Sequence, residues 1–173
     1  MKVILLLRHA KSAWGDTGLP DHDRPLNPRG ERAAEAMADH LLAKTPVPDL
    51  ILCSTATRAR QTLAPLIERI TAPAPPIALE NGLYLASAET LMARLQDLPE
   101  TVSTVLVIGH NDGMWQLAER LAGRGKATLL AALHEKFPTG ALATLKVDES
   151  WSALAAGAAT LAAFARPRDL VFD

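Results

Sequence analysis

The 173 residues are 49% hydrophobic and 21% charged, and Lys+Arg 18 against Asp+Glu 19 leaves a net charge of −1. That balance suits one ordinary globular core and excludes a disordered chain or one with a broad footprint for nucleic acid or anionic lipid, so an anion must be met by local arginines. There is no run of about 18 uncharged apolar residues, and MKVILLLRHA has neither the basic start nor the cleavage site of a signal peptide. A cytoplasmic chain is expected, and the single cysteine, Cys53, unable to close an internal disulfide, fits a reducing compartment.

Residues 2–7, KVILLL, form a continuous apolar run, the pattern of a strand buried on both faces, which delivers Arg8 and His9 at its carboxyl end. The polar stretch from Lys11 to Asp23, with Gly15, Gly18 and Pro20, reads as a loop long enough to belong to a site. Asn27 suits an N-cap and Pro28 the first position of a helix over 28–44, with an apolar stripe of Ala33, Ala34, Met37, Leu41 and Leu42. Residues 49–53 give a second buried strand. Ser54 with Thr55 then caps a helix carrying Leu63, Leu66, Ile67 and Ile70, which puts Arg58 in its first turn.

Pro73, Pro75 and Pro76 interrupt the chain, Ile77 to Leu79 reads as a short strand, and Ser87 caps a helix through Leu91, Met92 and Leu95. VSTVLVIGH repeats the opening arrangement and ends at Gly109 and His110; Asn111 caps the helix that follows, with Met114, Trp115, Ala118 and Leu121 on its apolar face. Ala141 to Val147 and Thr160 to Phe164 are weaker strand candidates. With no internal repeat and no linker, one domain over 1–173 is expected. Specificity is expected in two segments that no period assigns, Lys11 to Asp23 and Gly123 to Phe137.

Strands alternating with helices predict a three-layer α/β/α sandwich around a mostly parallel sheet, where ligands bind beyond the carboxyl ends of the strands. Arg8 and His9, Ser54 to Arg58, and Gly109 and His110 all fall at that edge. Two arginines and two histidines suit a phosphoryl group, whose equatorial oxygens match planar guanidinium forks. Positive neighbours disfavour the imidazolium, so His9 is expected to be neutral near pH 7 and able to attack phosphorus, with Arg8, Arg58 and His110 stabilising the transferring charge. Taken alone, either histidine reads more simply as a hydrogen-bonded structural residue, and Arg58 as a solvated helix residue like Arg60 and Arg69; their common position at the strand edge favours the chemical reading. His22, His40 and His134 lack that placement and read as surface or loop residues, and Cys53 as core.

LLLRHAKSAW, STATRARQT and VLVIGHNDG, in that order, resemble the three signatures of the histidine phosphatase superfamily, which includes the cofactor-dependent phosphoglycerate mutases. The short length, RHA, DRPLNPRG and KFPTGALATL resemble most closely the small SixA-type branch, described as protein phosphohistidine phosphatases. The resemblance implies a phosphoglycerate mutase-like fold, His9 as nucleophile, and a phosphate pocket of Arg8, Arg58 and His110. It implies no metal or cofactor, and a phosphorylated protein or small phosphorylated metabolite as partner.

The chain departs from larger relatives at Ala10, where they carry glycine, and near Gly15, where they carry asparagine; Ser12 remains a candidate phosphate ligand. Glu80 is the nearest candidate for the general acid of the mutases, or else a carboxylate that caps a turn or pairs with an arginine. Arg24 reaches the phosphate or pairs with Asp21 or Asp23. Three other readings compete: a small-molecule phosphomonoesterase or mutase of the same fold, a non-catalytic reader of phosphorylated partners, and a metal-dependent hydrolase. The last is disfavoured by the lack of HxH or HExxH spacing and by arginines that repel a cation.

Overall fold

The computed structural model describes residues 1–14 and 18–170. The chain runs β1 (Lys2–Arg8), α1 (Pro28–Lys44), β2 (Leu50–Ser54), α2 (Thr57–Arg69), β3 (Ile77–Glu80), α3 (Ala88–Gln96), β4 (Thr104–Gly109), α4 (Gly113–Leu121), β5 (Ala122–Gly125), α5 (Ala127–Glu135), β6 (Leu142–Val147) and β7 (Ala159–Ala165). The seven strands form one sheet in the order β3-β2-β4-β1-β6-β7-β5. β6 alone runs against its neighbours β1 and β7, so the sheet is mostly parallel as predicted.

Successive side chains of a strand point to opposite faces, so an unbroken apolar run needs cover on both. Val3, Leu5, Leu7, Ile51, Cys53, Leu106 and Ile108 face α1 and α2 through Met37, Ala38, Leu41, Leu63 and Leu66. Ile4, Leu6, Leu52, Val105 and Val107 face α3, α4 and α5 through Leu91, Leu95, Met114, Leu117 and Leu133. Each fully buried Leu or Ile stabilises this three-layer stack by roughly 2 kcal/mol. No described helix is long and apolar enough to cross a membrane.

Local signals set several boundaries as expected. The Asn27 side chain accepts from the Gly30 amide at 2.7 Å, Pro28 opens α1, and Ser87 accepts from the Thr90 amide at 3.1 Å to cap α3. Two predicted caps are corrected. Ala56 occupies the N-cap of α2 without a side-chain bond, and Asp112 that of α4. Asn111 instead donates to the Phe137 carbonyl at 2.9 Å, and Ser54 Oγ meets His110 Nε2 at 2.8 Å while accepting from the Ala56 amide at 3.2 Å. The segment that no period assigned contains β5, an edge strand of sequence AGRG beside β7, and α5.

Gly30 has a particular reason to be glycine: a Cβ there would lie 1.9 Å from the Lys11 carbonyl oxygen. This close approach lets the chain leaving β1 pair with the lead into α1, through Asn27 N to Lys11 O at 3.0 Å and Ala13 N to Pro25 O at 2.9 Å. The residues following His9 are thereby clamped to a rigid helix.

Candidate active site

β1 and β4 are in parallel register with Arg8 opposite Gly109, so the residues that follow the two strands emerge side by side. The His9 amide donates to the Gly109 carbonyl at 3.1 Å, and the His9 and His110 rings lie 5.2 Å apart between centroids. β2 ends at Ser54 on the same edge, and α2 then turns Arg58 toward His9. The rest of STATRARQT braces the same place. Thr62 Oγ1 accepts from the Ala10 amide at 2.9 Å while donating to the Arg58 carbonyl at 2.7 Å, and Gln61 accepts from the Leu26 amide at 2.8 Å.

His9 is 6% exposed and its Nδ1 sits 2.7 Å from the Ala10 carbonyl oxygen. A carbonyl only accepts, so Nδ1 carries the hydrogen and Nε2 carries the lone pair, toward which Arg58 Nε donates at 3.3 Å. Burial, ahead of the charges of His110, Arg58 and Arg8, pushes its pKa down to about 3. Neutrality follows as expected, but desolvation and not the positive neighbours is the larger cause. His110 is 2% exposed and is pushed down to about 4, again first by burial and then by Arg58. Its Nε2 meets Ser54 Oγ at 2.8 Å, and among the described residues its Nδ1 has no hydrogen-bond partner.

Arg58, 2% exposed, sends one amino group to the Asp21 carbonyl at 2.7 Å and the other to the Asp21 carboxylate at 3.0 Å. Arg8 donates to the Phe137 carbonyl at 3.1 Å, and its buried Nε has no partner among the described residues. Arg24 pairs with Asp21 at 2.9 Å, donates to the hydroxyl of the buried Ser12, and stacks 3.9 Å over the Trp14 ring. A cavity of about 490 Å³ gathers Arg8, His9, Ser12, Arg24, Arg58 and His110. Glu80 is not among its lining residues, and both its oxygens accept from Arg94 at 2.8 Å. No three His, Cys, Asp or Glu side chains among the described residues form a group able to hold a metal ion. Gly15 lies outside the described residues.

The sequence offered Asp21 as a partner of Arg24, as found, but its reach to Arg58 and Tyr84 was missed. Asp21 accepts from Arg24, Arg58 and the Tyr84 hydroxyl, and the Tyr84 bond leads in holding its carboxyl well below the usual range. The one available signal was local, the three-residue spacing of Asp21 and Arg24 in a single helical turn. His22, read as a surface or loop residue, contacts Thr55 Oγ1 at 2.8 Å through Nε2 and packs edge-on against Tyr84.

The family described as histidine phosphatase superfamily (branch 1) matches residues 4–84. An uncharacterised protein of Mycobacterium tuberculosis strain H37Rv is 42% identical over 164 residues, 94% of this chain and 100% of that one. A candidate phosphohistidine phosphatase SixA from Agrobacterium tumefaciens is 35% identical with a TM-score of 0.81, covering 96% of this chain and 98% of that one. Another from Nakamurella multipartitia is 30% identical with a TM-score of 0.83, covering 96% of each. Likeness at this level over nearly the whole length extends past the matched segment to β4, α4 and the later strands. The chain is accordingly a phosphatase that belongs to the histidine phosphatase superfamily, in its SixA-type branch.

Proposed function

We propose that the chain is a metal-independent protein phosphohistidine phosphatase in which His9 is transiently phosphorylated. The observation that carries this reading is the fixed tautomer of His9: Nδ1–H is held by the Ala10 carbonyl, and the Nε2 lone pair is directed to Arg58 inside the cavity. That lone pair attacks phosphorus in line, forming a P–N bond to Nε2 as the bond to the substrate's imidazole breaks. The departing imidazole keeps the bonding electron pair and takes its proton from solvent. Water then attacks the phosphoryl group on His9, releasing inorganic phosphate and restoring the free ring. Arg8 and Arg58 balance the charge of the equatorial oxygens, and a phosphoryl oxygen accepts from the neutral His110 when its hydrogen resides on Nδ1. Ser12 and Arg24 bound the same cavity and orient the phosphate.

The preference for P–N over P–O bonds follows from what the cavity offers a leaving group. Glu80 is occupied by Arg94, and Asp21, held ionised by Tyr84 and two arginines, is a poor proton donor. An imidazole leaves without a strong acid, whereas an alkoxide needs one. The guanidinium groups repel a divalent cation, in keeping with chemistry that needs no metal.

The test incubates the protein and His9→Ala with a phosphohistidine peptide and with p-nitrophenyl phosphate in the presence of chelator, while trapping acid-labile phosphoprotein. Release from the peptide that exceeds release from the ester, is lost in His9→Ala and passes through label on His9 is expected. An ester preference would favour a small-molecule phosphomonoesterase, and phosphate binding without any turnover would sink the mechanism.

A further inference from the structure

A second cavity, of about 620 Å³, adjoins the first, and Lys11, Lys136, Pro138 and Thr139 line both. Arg29, Arg32, Arg166 and Arg168 complete its cationic wall, and among the described residues no acidic one lines it. Among the described residues Arg166 alone of these six cations has a carboxylate partner, Asp169. In a chain of net charge −1, such a concentration is not an accident of a basic composition.

The wall is also held in place from three directions. Gly30 and Asn27 clamp the chain at Lys11 to α1, which carries Arg29 and Arg32. The amide of Gly140, a residue with φ +77°, donates to the carbonyls of Arg8 and His9 at 3.1 and 3.0 Å, tying the segment from Lys136 to Thr139 to β1. Arg166 is fixed to Asp169 through its side chain and its amide. On the other rim of the phosphate cavity stand Trp14, 79% exposed, and Leu85, 54% exposed.

We infer that the basic cavity is a docking groove for an acidic segment of a phosphorylated protein, which seats its carboxylates there while the phosphohistidine enters the adjoining pocket. This inference rests on the reading of the substrate as a phosphoprotein. Exposed aromatic and aliphatic side chains beside a charged groove suit a macromolecular partner, because they gain most when a large surface covers them. Among the described residues the groove lining has no aromatic side chain on which a base could stack, which favours an acidic protein over single-stranded nucleic acid. The cations steer the partner and set its register, and the phosphate pocket supplies the chemistry.

The test uses the full chain and fluorescence anisotropy with two peptides carrying a non-hydrolysable phosphohistidine analogue, identical except that one is flanked by glutamates and the other by serines. At about 50 mM salt the acidic peptide should bind about tenfold tighter, and the two should converge at about 1 M salt, where the Debye length is about 3 Å. Arg32→Glu with Arg168→Glu, both exposed positions, should abolish the preference, and the salt titration tests the same point without substitution. Equal affinity at low salt, a preference that survives the double substitution, or tighter binding of a single-stranded oligonucleotide overturns the inference. The P–N against P–O ratio of the preceding test is read separately. An ester preference with the acidic preference intact would overturn the phosphohistidine reading and leave the docking groove standing.

Discussion

Acidification from about pH 7.5 to about pH 5 should cost the fold roughly 4 kcal/mol through two histidines alone. An unfolded histidine titrates near 6.5, whereas the folded values are about 3 for His9 and about 4 for His110. Because the folded pKa lies below the unfolded one, the native state binds fewer protons. Stability is therefore full above 6.5 and is lost as pH falls, until each folded ring titrates in turn. Over the 1.5 units below 6.5, at about 1.4 kcal/mol per unit, each ring contributes about 2 kcal/mol. His40, lowered by burial and by Lys44, adds to the loss in the same direction. Asp21 acts in the same direction but at lower pH: its folded pKa is also depressed, so its contribution is present above about 4 and is lost only below the window. Urea unfolding at about pH 7.5, 6 and 5 measures the slope, and a constant m-value shows that the unfolded reference is unchanged. The double variant His9→Gln, His110→Gln should keep only the shallow residual slope. If it loses as much stability as the wild-type protein over this range, the two rings are not the buried neutral groups described above.

Four further outcomes follow from the same contacts. Gly30→Ala forces a Cβ to 1.9 Å from the Lys11 carbonyl and should destabilise the protein by about 3 kcal/mol, read as a fall in urea midpoint; a neutral effect would mean that the clamp on Lys11 is loose. Thr62→Val leaves the buried Ala10 amide without its acceptor, costing about 1–3 kcal/mol, and should lower kcat/KM, while Thr62→Ser restores both. Glu80→Gln should leave phosphohistidine turnover within about threefold and stability within about 1 kcal/mol, because its pair with Arg94 is partly exposed; a loss of about a hundredfold would instead identify it as the proton donor. With the pKa of His9, the proposed nucleophile, pushed down to about 3, kcat/KM should show no acidic limb near 6.5, and a limb there that shifts with substitutions around His9 would contradict the buried neutral ring.

The residues legible in the sequence were those whose place is decided locally. An apolar run that stops at a charged pair announces a strand end, so Arg8, His9 and His110 could be set at one edge before any contact was known. Asn27 and Pro28 fixed the start of α1, and the first-turn position of Arg58 distinguished it from Arg60 and Arg69. What stayed hidden depends on partners distant in sequence. AGRG has no β-forming side chain and becomes β5 only by pairing with β7, while ATLLAALHE is apolar nearly all round and carries no stripe by which to orient α5. Ser54 has the chemistry of a cap and its hydroxyl does accept from the Ala56 amide, but it also meets His110, 56 residues away, which no local pattern announces. Asp21 and Tyr84 are 63 residues apart, and no local pattern joins a loop carboxylate to a distant phenol.

Asp21 also explains how three arginines can converge in one cavity. Left unbalanced, Arg8, Arg24 and Arg58 would repel one another and lower the stability of the edge that holds them. The Asp21 carboxylate neutralises Arg24 and Arg58 together, and the Asp21 backbone carbonyl accepts from the second amino group of Arg58. Arg58 is then oriented with Nε toward His9, whereas Arg8 has a backbone carbonyl and no carboxylate among its hydrogen-bond partners. The proposed mechanism divides the labour accordingly: Arg58 orients and polarises the attacking ring, and Arg8 holds the positive charge that draws the phosphoryl group in. The burial that keeps both imidazoles neutral, as the proposed mechanism requires of His9, should also make the fold sensitive to acid. Reactivity at the strand edge and acid lability of the protein thus have one physical origin, the desolvation of His9 and His110.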